Sequence, residues 1–562
     1  MAVPQIVQLH YQDGVIDLKW VMQGITPTTP FQITITDTTT GQSTNYPATG
    51  FAARITQQLA VADAWQATVA ENSGGLGPPS AAVPIITVSP QVTLVQNTGA
   101  GLYLTWNTVG TYTTYSAVLQ DLGQKTQSQS VTGTSCTFDG ALQPGHQYQT
   151  GVAAQTTDRV STGPLAQVYV PILAAPTVTL VQNTGTGLLL RWQAVGSYTK
   201  YPCTLQAQGG QPTTQVATGI QYTFAGALTA ASYQTWVAAQ SDDGVLVGPP
   251  SMVYAPILQA PAMTTVENTG AGLKLAWQQV GSYGRYVAVL QQLGHQSQTQ
   301  EVSGLTWTFD GTLSGAGYST DVSAQSNDGV LIGPPSAVYA PILATPSWTE
   351  LDYVTGTLAA TWQQVTDPSV TGYVVQVTPA GGSPSPYPAG NVDHLDISTT
   401  LTPANYAVVV RATNGIVLGP WSAPLVPLTA PPAAMSLGFD GTHLRASWQP
   451  SGQSGVTGYV VQLLADGQVS ETLTPSAPPQ PFVSGLTTAI VYTSQARSVG
   501  AKVKGPWCAP ATGPYLAGLT YTFDGFGRLR AVAWTGAQTQ SYAVDVAGNI
   551  QSVTFAPTAG GE

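Results

Sequence analysis

Residues 90–106 read Pro90-Gln-Val-Thr-Leu-Val-Gln-Asn-Thr-Gly-Ala-Gly-Leu-Tyr-Leu-Thr-Trp106. Apolar and polar residues alternate on either side of Asn97-Thr98-Gly99, whose residue types favour a tight turn. The stretch therefore predicts two strands joined by a turn, closing on a large indole. The same phrase recurs along the chain. Trp20, Trp106, Trp192, Trp277, Trp362 and Trp448 are spaced by 86, 86, 85, 85 and 86 residues. Pro4, Pro90, Pro176, Pro261, Pro346 and Pro432 run in register with them. A period of this length, built on one strand pair, makes the chain a tandem array of small β domains.

About nine residues beyond each Trp an aromatic opens another alternating segment: Phe31, Tyr115, Tyr201, Tyr286, Tyr373 and Tyr459. A later element runs Leu142 to Tyr148, echoed by Leu228 to Tyr233, Leu313 to Tyr318, Leu401 to Tyr406 and Leu486 to Tyr492. Each repeat closes with a turn and a strand. Asp243, Asp328 and Asn414 each precede a glycine there, a pairing suited to a type I′ hairpin.

A Trp on the second strand, an aromatic opening the third and a Leu-to-Tyr corner together resemble the fibronectin type III family over residues 1–516. That resemblance implies an all-β, immunoglobulin-like sandwich with the Trp between the sheets and the corner Tyr hydroxyl bonded to nearby backbone. The expected boundaries are 1–88, 89–174, 175–259, 260–344, 345–430 and 431–516, with a tail at 517–562. The first repeat carries Trp65 where the others have Tyr, so its corner should be weaker or differently tied. Repeats two to four share Gln/Glu-Asn-Thr-Gly and Val-Gly-Thr/Ser-Tyr, a sign of internal duplication that displays any ligand surface three times. Short linkers bearing proline predict semi-rigid spacing.

Composition narrows the partners. Of 562 residues 43% are hydrophobic but only 7% charged, with a net charge of −11 and 15 Lys and Arg. Phosphate backbones and polybasic membrane contacts both need clustered cations, so neither nucleic acid nor an anionic bilayer is an expected partner. Cys136, Cys203 and Cys508 fall in separate repeats and read as core or edge thiols. The first residues enter strand pattern without the features of a conventional signal peptide, and no stretch approaches the ~20 apolar residues of a membrane span.

The tail holds Trp534, 86 residues after Trp448, with Tyr542 following, which would suit half of a seventh sandwich. It also holds Tyr521-Thr-Phe-Asp524-Gly-Phe-Gly-Arg528-Leu and Tyr542-Ala-Val-Asp545-Val-Ala-Gly-Asn-Ile. Two copies of Tyr-x-x-Asp-x-x-Gly resemble the YD repeats of Rhs proteins, teneurins and the shell component of Tc-type toxins, the preferred reading. It implies a bacterial, secreted or toxin-associated setting, with Tyr521, Asp524, Arg528, Tyr542 and Asp545 as partner-docking residues.

No phosphate loop, nucleophile elbow or His-Glu-x-x-His is present, and no enzyme, metal or cofactor is expected. Asp393-His394-Leu-Asp396 and Asp242-Asp243-Gly read as ordinary polar loops and turns. The loop tyrosines Tyr112, Tyr198 and Tyr283, with Trp236 placed outward by strand alternation, are the candidate ligand-binding residues. Trp307 shares the inward face with Phe309. The expected function is a non-enzymatic binding or adhesion protein of the exterior or cell surface, taking glycan or protein through repeated weak sites. Alternatives are an arm of a toxin or injection-system complex, or a self-associating fibre subunit.

Overall fold

A computed structural model describes the chain apart from residues 1, 63, 355, 403–404, 441, 484–485, 488–489, 515–518, 525, 527, 535–537, 545–549 and 558–562. Every regular element among the described residues is a β-strand. The chain packs as two compact units. One comprises Met1–Pro261, Val280–Val287 and Ser323–Ser336, and the other Ala262–Gln279, Ala288–Val322 and Ala337–Glu562.

The second repeat illustrates how the pattern folds. Its first strand (Val92–Asn97), its Trp strand (Gly101–Trp106) and Ser135–Asp139 form one sheet. The Tyr strand (Thr114–Asp121) lies between Thr126–Thr132 and the corner strand (Tyr148–Gln155) in the other. Leu102, Leu104 and Trp106 point inward to meet Tyr115, Ala117 and Leu119, all buried. Trp106 lies 5.5 Å from Tyr115 between ring centroids, and Trp20–Phe31, Trp192–Tyr201, Trp362–Tyr373 and Trp448–Tyr459 repeat the contact at 5.2–5.4 Å. The tandem immunoglobulin-like sandwiches that the resemblance implied are thus in place, cored by an aromatic pair worth about 0.5–1.5 kcal/mol beyond its buried area.

The corner residues are tied as their chemistry requires. The hydroxyls of Tyr148, Tyr233, Tyr318, Tyr406 and Tyr492 accept hydrogen bonds from backbone N–H groups four or five residues upstream, at 2.9–3.2 Å. Trp65 has no acceptor and reverses the polarity, its indole N–H donating to the Ala60 carbonyl at 3.0 Å. The Leu59 N–H instead reaches the Tyr11 hydroxyl at 3.2 Å.

One feature departs from the reading of the sequence. The Asp-Gly turns place only the glycine at positive φ (Gly244 +80°, Gly329 +78°), whereas a type I′ turn needs both central residues there. The aspartates act through their side chains: Asp243 and Asp328 Oδ1 accept from the Val245 and Val330 N–H groups.

At the linkers a further contact joins neighbouring repeats. The closing strand of a repeat pairs in parallel with the first strand of the preceding one. In the first unit Leu9 faces Ser161, Val95 faces Leu246 and Val181 faces Leu331. In the second, Val266 faces Val417 and Leu351 faces Val503. One sheet therefore runs Thr126–Thr132, Thr114–Asp121, Tyr148–Gln155, Ser161–Thr162, Gln5–Gln12, Val15–Val21, Ala52–Thr56. Within each unit, neighbouring sandwiches share a sheet.

Candidate functional site

The loops between Trp strand and Tyr strand repeat one geometry three times. In Val109-Gly-Thr-Tyr112, Val195-Gly-Ser-Tyr198 and Val280-Gly-Ser-Tyr283 the tyrosine N–H donates to the valine carbonyl at 3.0–3.1 Å. The glycines sit at φ +49°, +51° and +48°, a left-handed conformation that suits glycine. The core tyrosine that opens the next strand braces each loop. Tyr115, Tyr201 and Tyr286 accept from the valine N–H at 2.9–3.1 Å and donate to the carbonyl of the loop tyrosine at 2.9–3.0 Å. This brace was not foreseen, although the fixed three-residue offset between the two tyrosines was its visible trace.

Tyr112, Tyr198 and Tyr283 are half-buried. Tyr112 and Tyr198 pack against the cores of their own repeats, and burial pushes the Tyr112 hydroxyl above its ordinary pKa. Each presents part of one ring from a loop whose backbone is already set. Trp236 is also half-buried. It lies opposite Thr204 on the strand Tyr233–Val237, the last strand of its three-stranded sheet, outside the loop that carries Tyr198.

The tail is a four-stranded antiparallel meander of Leu519–Phe523, Leu529–Trp534, Gln538–Val544 and Ile550–Pro557. Trp534 and Tyr542 lie on strands that pair directly. In the sixth repeat, by contrast, Trp448 and Tyr459 occupy strands of opposite sheets. Asp524 accepts from the N–H groups of Phe526 and Arg528 at 2.9 and 3.0 Å, and its other oxygen accepts from Arg528 Nε at 2.8 Å. Those bonds to backbone and guanidinium hold the Asp524 carboxyl below the usual range. Asp524 and Arg528 therefore bind each other across the hairpin turn. What the turn displays is Phe526, 87% exposed, with Arg528 over its ring at 5.3 Å. Tyr521 and Tyr542 take strand positions opposite Val532 and Val553, and Asp545 lies outside the described residues.

Elsewhere the polar groups settle into structural roles. His394 meets the neighbouring Asp393 at 3.4 Å, both exposed. Cys136, Cys203 and Cys508 are free and buried, and Trp307 packs edge-on to Phe309. Among the described residues no group of three or more His, Cys, Asp or Glu is placed to hold a metal ion, and no helix is long and apolar enough to cross a membrane.

No protein-family model matches the chain, and no curated protein is similar to it. Among solved structures, the FN1–FN3 domains of chicken CNTN1 match at 14% identity, covering 46% of this chain and 98% of that one with a TM-score of 0.20.

Proposed function

We propose that this chain is a non-enzymatic, multidomain binding or adhesion protein of the bacterial exterior or cell surface. On this reading six sandwiches, divided at the linker prolines, present repeated weak sites for glycan or protein. The observation that supports it is the loop set of Tyr112, Tyr198 and Tyr283, braced identically in three consecutive repeats. Sites that are individually weak gain by simultaneous engagement when their spacing is set, and shared sheets between neighbours restrict that spacing within each unit. Pre-set loops also spare the ordering cost of binding. Trp236 belongs to the same proposal as a further aromatic contact.

The test is binding of labelled full-length protein to cells and to printed glycans and proteins. Replacing Tyr112, Tyr198 and Tyr283 with alanine should weaken binding at least tenfold. Undiminished binding would remove the tyrosines, and absence of binding to every surface would remove the reading itself.

A second reading, an arm of a toxin or injection-system particle, is favoured by the exposed Phe526 on its hydrogen-bonded turn. Deleting residues 517–562 would then abolish co-assembly with a particle partner and leave the sandwiches folded.

A further inference from the structure

At the far end of the Tyr strand from the loop tyrosines, the second and fourth repeats carry the same cleft. Leu119, Gln127 and Asp139 line it in one, and Leu290, Gln298 and Asp310 in the other. The corner tyrosines Tyr148 and Tyr318 form its back. The third repeat has a cleft over the corresponding turn, lined by Gln206, Gln208, Ser232 and Gln234 against Tyr233. The volumes are about 190, 270 and 390 Å³ in the second, third and fourth repeats, at or below the low end for small-molecule sites.

The clefts are built, because one cross-tie recurs in them. A side chain at the end of the Tyr strand reaches the corner loop in each repeat. Asp121 meets His146 Nδ1 at 2.8 Å, Ser232 Oγ donates to Gln208 Oε1 at 2.9 Å, and Gln292 Nε2 donates to the Ser314 carbonyl at 3.1 Å. The residue types differ but the span between turn and corner is the same. The tie holds the two walls together while Asp139, Gln234 and Asp310 at the rims keep side chains free of protein hydrogen bonds among the described residues.

The lining selects the ligand. The second cleft has Asp121, Asp139 and Lys125, the fourth has Asp310, and the third has no charged residue. Formal charge is therefore not the shared feature. What recurs is side-chain amide chemistry beside a tyrosine, with a serine or threonine hydroxyl added in the third and fourth and leucine in the second and fourth. Carboxylates and a net charge of −11 also disfavour an anion. A compact ligand rich in hydroxyls, uncharged and with one apolar face, satisfies all three.

We propose that these clefts are subsites for neutral carbohydrate, one in each of the second, third and fourth repeats. The proposal rests on the reading of the chain as a repeated binding array, and it does not depend on the loop tyrosines.

The experiment uses full-length labelled protein on a printed array of neutral hexose and N-acetylhexosamine oligosaccharides beside sialylated and sulfated ones. Asp139→Ala, Gln234→Ala and Asp310→Ala remove one rim group each without touching a core contact. Each alone should raise the half-saturating concentration about twofold, and the three together about eightfold, because avidity multiplies the individual losses. Retention of anionic glycans only, or of none, overturns the proposal. So does a triple variant that unfolds like the wild type and binds neutral glycans equally well. Cell or protein binding that persists without neutral-glycan binding sinks the clefts and leaves the array reading standing, whereas loss of all binding sinks both.

Discussion

A β-carbon on Gly248 would lie 2.8 Å from Cγ2 of Ile172, the isoleucine of the linker ahead of it. The missing side chain is a socket, and the linker isoleucine fills it. In the first unit Ile86 meets Gly163 and Ile257 meets Gly333 in the same way, and in the second Ile342 meets Gly419 and Leu428 meets Gly505, at 2.6–3.0 Å. The glycine that opens each Gly-Pro turn is thus a packing residue of the junction.

Gly248→Ala should therefore destabilise the fold by about 1–3 kcal/mol, the usual cost of overpacking a filled site. Gly284 provides the control. A β-carbon there meets nothing within 4 Å and its φ is not left-handed, so Gly284→Ala should be neutral or slightly stabilising. Denaturant unfolding of the two variants checks the contrast, and equal effects would remove the socket.

The same linker is held by a buried amide. Asn97, Asn183 and Asn268 donate to the carbonyls of Ile172, Ile257 and Ile342 at 3.0 Å, while their oxygens accept from the glycine N–H of their own turns. Asn183→Ala strands both partners and should cost about 1–3 kcal/mol. Hydrogen exchange should show faster opening of the Gly185 amide, which loses its acceptor.

The junctions of the second unit add charge. Arg411 meets Glu267 at 2.6 Å and lies over Trp421, and Arg497 meets Asp352 twice at 3.0 Å and lies over Trp507. Arg497 is 13% exposed and Asp352 22%, so removing one partner leaves a poorly solvated charge. Arg497→Ala should cost about 2–4 kcal/mol, short of the fully buried case. Replacing both with apolar residues should recover most of that loss, and thermal unfolding of the single and double variants measures it.

Burial pushes the Cys203 thiol from its ordinary 9.0 up to about 12. In the unfolded chain the thiol ionises from about pH 9, in the native fold only near pH 12. Between the two the unfolded state alone releases that proton. Stability should fall as pH rises through this window, by about 1.4 kcal/mol per unit. Cys203→Ala should flatten that slope, and the native thiol should resist alkylation at pH 8.

Trp106, Tyr115 and the Leu142-to-Tyr148 corner were legible because each recurs at a fixed offset and the alternation around them reports one buried face. The loop tyrosines were legible as a recurrence, but their brace was not, since it joins a side-chain hydroxyl to two backbone groups. In the tail, Asp524 and Arg528 stood out by pattern, yet their own hydrogen bonds occupy them. The exposed residue is Phe526, at a position the repeat leaves variable.

Local order alone determined that this chain is a run of repeated β domains: period-two alternation, turn residues and one indole per repeat suffice to define strands and bury them, and the family resemblance implied that they form sandwiches. Tertiary structure decided how neighbours join. The pairing of Leu9 with Ser161 is a parallel contact across 152 residues, two residues long at its core, too short to impose a pattern of its own. Ile172 and Gly248 likewise read as an ordinary linker residue and an ordinary turn glycine until the fold brings one against the other.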